Sequence, residues 1–264
     1  LPPPPPPSCA CARVRPPLPT HTPRPPPFPA LTLPVPRHRP MLSASASTSA
    51  MAAAAILASA ASWARLPEPM VIHWDAAGRA DGFASRALSL SLLPALMSLL
   101  ALVLRLPPAG LEQGKPRDGV DRAMVLVAAL MLAVHLLIIV TSLEAGQTIP
   151  SALLLGMLGA FFVMLGLVMP SLPQNYLAGV RTPWSLRSQM NWQLTHRFGA
   201  WTMCAGGAVC GMISIAIEQE KAYAVGIGAV VVGALLPVGY SYLLHATQMD
   251  TRVVDAQEPA NPLG

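Results

Sequence analysis

Residues 125–140 read VLVAALMLAVHLLIIV, fifteen apolar positions interrupted only by His135. With its flanks the run extends from Ala123 to Leu143, matching the ~20 residues at 1.5 Å each that cross ~30 Å of hydrocarbon. Four more stretches share this character: Leu88–Leu106, interrupted early by Pro94; Ser151–Met169, closed by Pro170; Gly199–Ile217; and Ala222–His245. Lipid offers the backbone no hydrogen bonds, so such runs must be helices. Residues 41–64, Ala- and Ser-rich around an apolar centre at 51–61, fit either a cleaved signal peptide or a modest first span. The retained helix is expected, and the later topology is the same in either case. The expected fold class is therefore all-α: a polytopic membrane protein of about six transmembrane helices.

Composition points the same way. Of 264 residues, 53% are apolar and 11% charged, whereas soluble domains carry about 25% charged residues. The net charge of +5 does not imply nucleic-acid binding, because the basic residues are scattered through loops without a basic helix or RNA-binding motif. They follow topology instead. With residue 1 in the cytoplasm, thirteen of the seventeen Lys and Arg fall on the inner side and four on the outer. The positive-inside rule then puts both termini in the cytoplasm, with the basic loops facing anionic lipid. Residues 1–40, nearly half proline and free of acids, cannot form a packed core and are expected to be disordered or polyproline II. Because the first methionine is Met41, they are expected to be upstream sequence read in frame, with initiation at Met41 or Met51. Cys9 and Cys11 lie in that tail, while Cys204 and Cys210 read as small hydrophobes inside a helix.

Two loops hold more than a linker needs. Residues 66–86, LPEPMVIHWDAAGRADGFASR, are expected outside. Met70–Trp74 reads as an extended piece, and Asp75, Gly78, Asp81 and Gly82 supply turn chemistry. His73, Trp74, Asp75, Gly78 and Asp81 are the candidate site residues there; turn formation is the expected role of the acids, and a cation or ligand site on His73, Asp75 and Asp81 is the alternative. Their spacing fits no EF-hand loop, and no metal or other cofactor is expected.

The second loop, NYLAGVRTPWSLRSQMNWQLTHRFG at 175–199, is expected inside. Thr182 before Pro183 makes a helix start. Leu186, Met190, Leu194 and Phe198 recur every four residues, which predicts a short interfacial helix over 183–198 in the fourth-to-fifth loop. Trp184 and Trp192 suit the headgroup boundary. Asn175, Arg181, Asn191 and His196 exceed what anchoring requires, and a guanidinium beside amides can hold a carboxylate, a phosphate or a peptide backbone.

The stretch from Asn175 to Trp201 resembles the signature of the SdpI family of bacterial multipass membrane proteins: Asn-Tyr/Trp-x-x-Gly-x-Arg-Thr-x-Trp-Ser/Thr, then Trp, then Thr-His-Arg/Lys and Gly. PMVIHWDAAGRADGF, residues 69–83, is similar to an element of the small membrane domain commonly fused ahead of it. The resemblance covers about residues 50–246. It implies an N-terminal membrane domain over 41–145, an SdpI-like membrane domain over 146–246 and a cytoplasmic tail over 247–264. The family signature falls on Asn175, Tyr176, Gly179, Arg181, Thr182, Trp184, Trp192, Thr195, His196 and Gly199. With Asn191 added and Gly199 left out, these are the candidate ligand- or partner-binding residues. The family's namesake protects its producer from a secreted peptide toxin and draws a transcriptional repressor to the membrane. The resemblance thus implies a non-enzymatic immunity or sensor protein of the bacterial inner membrane. Its partners would be the lipid bilayer, a peptide toxin outside and a transcriptional regulator inside.

Three further features lie within the spans. His135 is expected to hydrogen-bond a neighbouring helix. Gly207-x-x-x-Gly211 and Ala224-x-x-x-Gly228 predict close approach of the last two helices. Pro237 is expected to kink the sixth, with Tyr240, Tyr242 and His245 as interface anchors. The competing classes are a small-solute transporter or channel, and an enzyme using His73, Asp75 or His196. The first lacks aligned intramembrane polar residues and an internal repeat, and the second lacks a legible nucleophile–base pair, so no catalytic residue is assigned. A membrane-impermeant thiol reagent applied to intact cells is expected to label a cysteine placed at Arg79 and to miss one placed at Arg187. Labelling of both from the same side would refute the assigned sidedness.

Overall fold

The computed structural model describes residues 43–75, 77–106, 117–144 and 148–257. The expectations for residues 1–40, Cys9 and Cys11, and for the tail beyond Gln257, lie outside these residues. Helix α1 (Ala44–Ser62) begins at Ser43, whose Oγ accepts the Ala46 N–H, and ends in a 3-10 turn at Trp63–Arg65. Strands β1 (Met70–Trp74) and β2 (Ala80–Ala84) form an antiparallel hairpin with Val71 opposite Phe83 and Trp74 opposite Ala80. Then come α2 (Arg86–Val103), α3 (Asp118–Leu143), α4 (Ser151–Val168), the five-residue α5 (Pro183–Arg187), α6 (Gln189–Ala216) and α7 (Gln219–Gln257).

Among the described residues six helices are long and apolar enough to cross a membrane: 44–65, 86–103, 118–143, 152–171, 189–216 and 220–247. Their outward faces are apolar, with Leu57 69%, Ile215 80% and Leu235 60% exposed. In water that surface would drive aggregation, whereas in lipid it is the solvated face. The chain is a multi-pass helical membrane protein.

Helix α1 packs against α2 and α3, and α6 against α4 and α7. In the first group Ala52, Ala55 and Met97 form a small buried cluster. In the second, backbone approach is closest at glycines. A Cβ on Gly207 would lie 2.6 Å from Gly159 O of α4, and one on Gly206 would lie 2.6 Å from Ala229 O of α7. The close approach expected of the last two helices is present, but Gly206 and Gly233 make it rather than the motif glycines; Gly207 faces α4, and a Cβ on Gly228 would meet nothing within 4 Å. Adjacent positions point about 100° apart on a helix, so neighbouring glycines serve two different partners, which motif spacing alone does not reveal.

Two prolines sit inside α-helices, Pro94 in α2 and Pro237 in α7, and each is compensated in the same way. Proline lacks an N–H, so the carbonyl four residues earlier loses its helical donor. For Pro94 that carbonyl belongs to Leu90, and Ser59 Oγ of α1 lies 3.2 Å from it. Ser59 Oγ also lies 2.9 Å from its own Ala55 O and 2.8 Å from His135 Nε2. Carbonyls only accept, so the hydroxyl hydrogen goes to them and His135 Nε2–H donates to Ser59 Oγ. The helix contact expected for His135 is thus made to α1. For Pro237 the freed carbonyl is Gly233 O, and Thr202 Oγ1 of α6 donates to it at 2.7 Å. In a membrane protein a neighbouring hydroxyl is one of the few groups that can do this.

A double-mutant cycle on thermal unfolding in detergent tests the compensation. Thr202→Val is expected to cost about 1–3 kcal/mol, the penalty of a buried acceptor left without a donor. In a Pro237→Ala background that cost is expected to fall toward zero, because the substitution restores a backbone N–H that can serve Gly233 O. Equal costs in both backgrounds would exclude it.

Candidate functional site

The two motif loops lie at opposite ends of α3. Gly119, in its first turn, lies against Ser171, where a Cβ would meet the Ser171 oxygens. Ile138 and Ile139, near its other end, pack with Met70, Leu66 and Leu90, and half-buried Trp74 packs on that cluster.

At the hairpin, Asp75 organises the turn. Its Oδ1 accepts from Ala77 N at 2.8 Å and Arg79 N at 2.9 Å, and its Oδ2 lies 2.8–2.9 Å from the Arg79 guanidinium. The Arg79 backbone N–H, then the Arg79 side chain and the Ala77 N–H, hold the carboxyl below the ordinary carboxylate range against a smaller opposing effect of burial. Gly78 takes φ +73°, a conformation that favours glycine. Gly78 O accepts from Ile149 N at 2.9 Å, so the turn is fastened to the loop ahead of α4. Asp81 Oδ1 lies 2.6 Å from His73 Nδ1, with those side chains 46% and 69% exposed. Gly82 leaves room for this pair, since a Cβ there would fall 2.7 Å from His73 Cβ. Of the five candidates, His73 and Asp81 form one exposed pair, Asp75 and Gly78 build the turn, and Trp74 packs inward. Among the described residues no three His, Cys, Asp or Glu converge as metal ligands do.

The second loop is folded around its own polar side chains. Asn175 is 1% exposed; its Oδ1 accepts from Leu177 N and Ala178 N, and its Nδ2 donates to Pro173 O and Ala178 O. Thr182 and Ser185 form a capping box, each hydroxyl accepting the other's backbone N–H at 3.0 Å. Gln174 Nε2 donates to Ser185 O and Leu186 O at 2.8 Å. The helix expected over 183–198 is divided at Ser188 (φ −131°, ψ 117°), whose Oγ caps α6 by accepting from Asn191 N. Only 183–187 forms the separate short helix α5. Residues 189–198 are the opening turns of α6, because Asn191 finds its partner on α7, Thr195 bonds to Asn191, and Trp192 and His196 bond to the preceding loop.

Those partners form one chain of bonds. Asn191 Nδ2 donates to Ser241 O at 2.9 Å, and Asn191 Oδ1 accepts from Ser241 Oγ at 2.7 Å and from Thr195 Oγ1 at 3.1 Å. Ser241 has spent its hydrogen on Asn191, so Thr182 Oγ1 donates to Ser241 Oγ, at 2.7 Å. Beside it, Trp192 Nε1 donates to Leu172 O at 2.8 Å, and its ring stacks on His196 with centroids 4.0 Å apart. Val180 N–H donates to His196 Nε2 at 3.1 Å, and Trp192 O lies 2.8 Å from Nδ1. An amide donor on one nitrogen and a carbonyl on the other fix the neutral imidazole with its proton on Nδ1. Gly179, at φ +110°, lies over this ring, and a Cβ there would overlap Nε2. Gly199 likewise gives room to Met169 and Pro237.

The loop's candidates thus divide in two. Asn175, Thr182, Asn191, Trp192, Thr195 and His196 are buried and bonded within the fold. Tyr176 is 57% exposed, Arg181 is exposed with Nη1 donating to Tyr176 O, and Trp184 is half-buried against the rings of Tyr242 and His245. Ser185 and Ser241 were not among the candidates. Ser185 had a signal in the Thr-x-x-Ser spacing, whereas Ser241 had none, because its role depends on a helix pairing.

These features define a polytopic helical membrane protein whose loop between the fourth and fifth spans is locked to its last two helices by a buried polar network. The region carrying that loop, residues 171–241, matches the model of the SdpI/YfhL protein family, and residues 50–98 match a domain of unknown function, DUF1648. Residues 171–241 thus resemble that family, and this similarity together with the six apolar helices supports a multi-pass protein of a bacterial membrane. It is 25% identical over 162 residues to the Immunity protein SdpI of Bacillus subtilis (strain 168), covering 60% of this chain and 75% of that protein. No solved structure matches.

Asn191→Ala and Ser241→Ala are each expected to lower unfolding stability in detergent by about 1–3 kcal/mol, since each strands a buried polar partner. The double variant is expected to cost clearly less than the sum, the behaviour of residues in one network. Additive losses would show that no shared network exists.

Proposed function

We propose that this chain is a non-enzymatic immunity and sensor protein of the bacterial inner membrane, with both termini in the cytoplasm. In this reading the hairpin around His73, Trp74 and Asp81 faces outward and meets a secreted peptide toxin or envelope signal. The loop around Tyr176, Arg181 and Trp184 faces the cytoplasm and meets a transcriptional regulator. Supporting it are the similarity to a protein named as an immunity factor and the excess of Lys and Arg on the side assigned to the cytoplasm. The packing of α1 with α2 and α3, and of α6 with α4 and α7, supports two membrane domains, 41–145 and 146–246.

The observation that carries the proposal is the pair of ordered motif loops at opposite ends of α3. Each is braced by its own hydrogen bonds and presents a few exposed polar groups, the arrangement a relay across a membrane requires. A catalytic site would instead bring a nucleophile and a base together.

A toxin-challenge assay tests the proposal. A deletion strain is expected to be more sensitive than its parent to secreted peptide toxins, with full-length protein restoring resistance. His73→Ala is expected to lose protection while reaching normal membrane levels by immunoblot. Arg181→Ala is expected to keep protection and lose the transcriptional response. Equal sensitivity of deletion and parent would overturn the immunity function.

A further inference from the structure

Helices α1 and α2 leave a cavity of about 280 Å³ between them, lined by Ser49, Ala52, Ala53 and Ile56 of α1 and by Ser98, Ala101, Leu102 and Arg105. The two sets have matching spacing, one stripe on each helix, and the small side chains at the centre leave the space between them unfilled. We propose that this groove binds one anionic phospholipid, its tail lying on the alanines and its phosphate held by Arg105.

Three observations carry the assignment. The first is polarity along the groove. Its inner length is alanine and aliphatic, and its only charged lining residue is Arg105, which follows the Leu104 cap of α2 and is exposed. Ser98 adds no polarity, because its hydroxyl donates to Pro94 O at 2.8 Å. The second is length. From Ser49 to Ile56 the groove spans about 10 Å at 1.5 Å per residue, and Ile56 falls near the middle of the span 44–65. The groove thus covers about two thirds of one leaflet's share of a ~30 Å hydrocarbon layer. The third is charge. Guanidinium groups bind phosphate through paired N–H donors. Among the described residues the structure gives Arg105 no ion pair, whereas Arg117 nearby is paired with Asp121 at 2.8 Å.

Native mass spectrometry of the full chain released from detergent tests the site, with phosphatidylglycerol, phosphatidylcholine and tail-less glycerol phosphate as probes. One phosphatidylglycerol is expected to be retained about fivefold more than phosphatidylcholine, the scale of one cation near an anionic surface. Arg105→Ala is expected to erase that preference. Ala53→Leu, which fills the groove from an exposed position without touching the α1–α2 core, is expected to reduce retention of both lipids. Equal retention of the two lipids by the parent, or unchanged retention in Ala53→Leu, would overturn the proposal. So would binding of glycerol phosphate as strong as that of the lipid, which would mark a phosphate site without a tail groove. A lipid-independent dimer abolished by Ala53→Leu would overturn it too, by assigning the groove to a second copy. If Arg105→Ala fails to fold, the Ala53→Leu and headgroup comparisons still decide.

Discussion

Leu90 O and Gly233 O each lose their helical donor to a proline four residues on, and in a span no water is present to replace it. Ser59 and Thr202 replace it from neighbouring helices. This requirement fixes more than two hydrogen bonds. It sets α1 against α2 with His135 behind the pair, and α6 against α7 at the height of Gly233. Helix packing in lipid has little hydrophobic drive of its own, so close backbone approach and buried polar contacts must supply it. The glycines at 159, 206 and 207 provide the first. The prolines, by creating demand for a donor, provide the second.

The polar network of the signature loop is the same constraint on a larger scale. Asn191 makes three side-chain bonds, two of them to one residue of α7. Asn175 closes its own turn with four. Such saturation makes the loop a rigid attachment and leaves only a few groups, Tyr176 and Arg181 among them, turned to the surroundings.

Much of this was legible in the sequence. The six spans follow from apolar run length, the hairpin turn from Asp75 and Gly78, and the start of α5 from Thr182 and Pro183. What was not legible depends on partners distant in sequence. The stripe Asn191–Thr195 has the spacing of a water-facing helix face, and periodicity cannot tell whether the polar groups opposite it are water or Ser241. So α6 began ten residues before its apolar run. The same limit hid the prolines' donors: Ser59 and Thr202 are ordinary small polar residues until the helices are side by side. His196 looked free for a ligand for a similar reason, because its second partner is a backbone N–H that no side-chain pattern announces.

Besides the packing of Gly119 on Ser171, two backbone contacts at the hairpin link the two groups of helices. The Gly78 carbonyl takes the Ile149 amide hydrogen, and Arg79 forms an isolated bridge with Thr148. The hairpin is therefore stitched to the strap that enters α4, giving the halves a shared clasp above the bilayer. Prising the hairpin away would tug directly on α4, whose glycines mesh with α6, and a disturbance begun at one rim has a mechanical route into the second bundle that bypasses the three rods of the first.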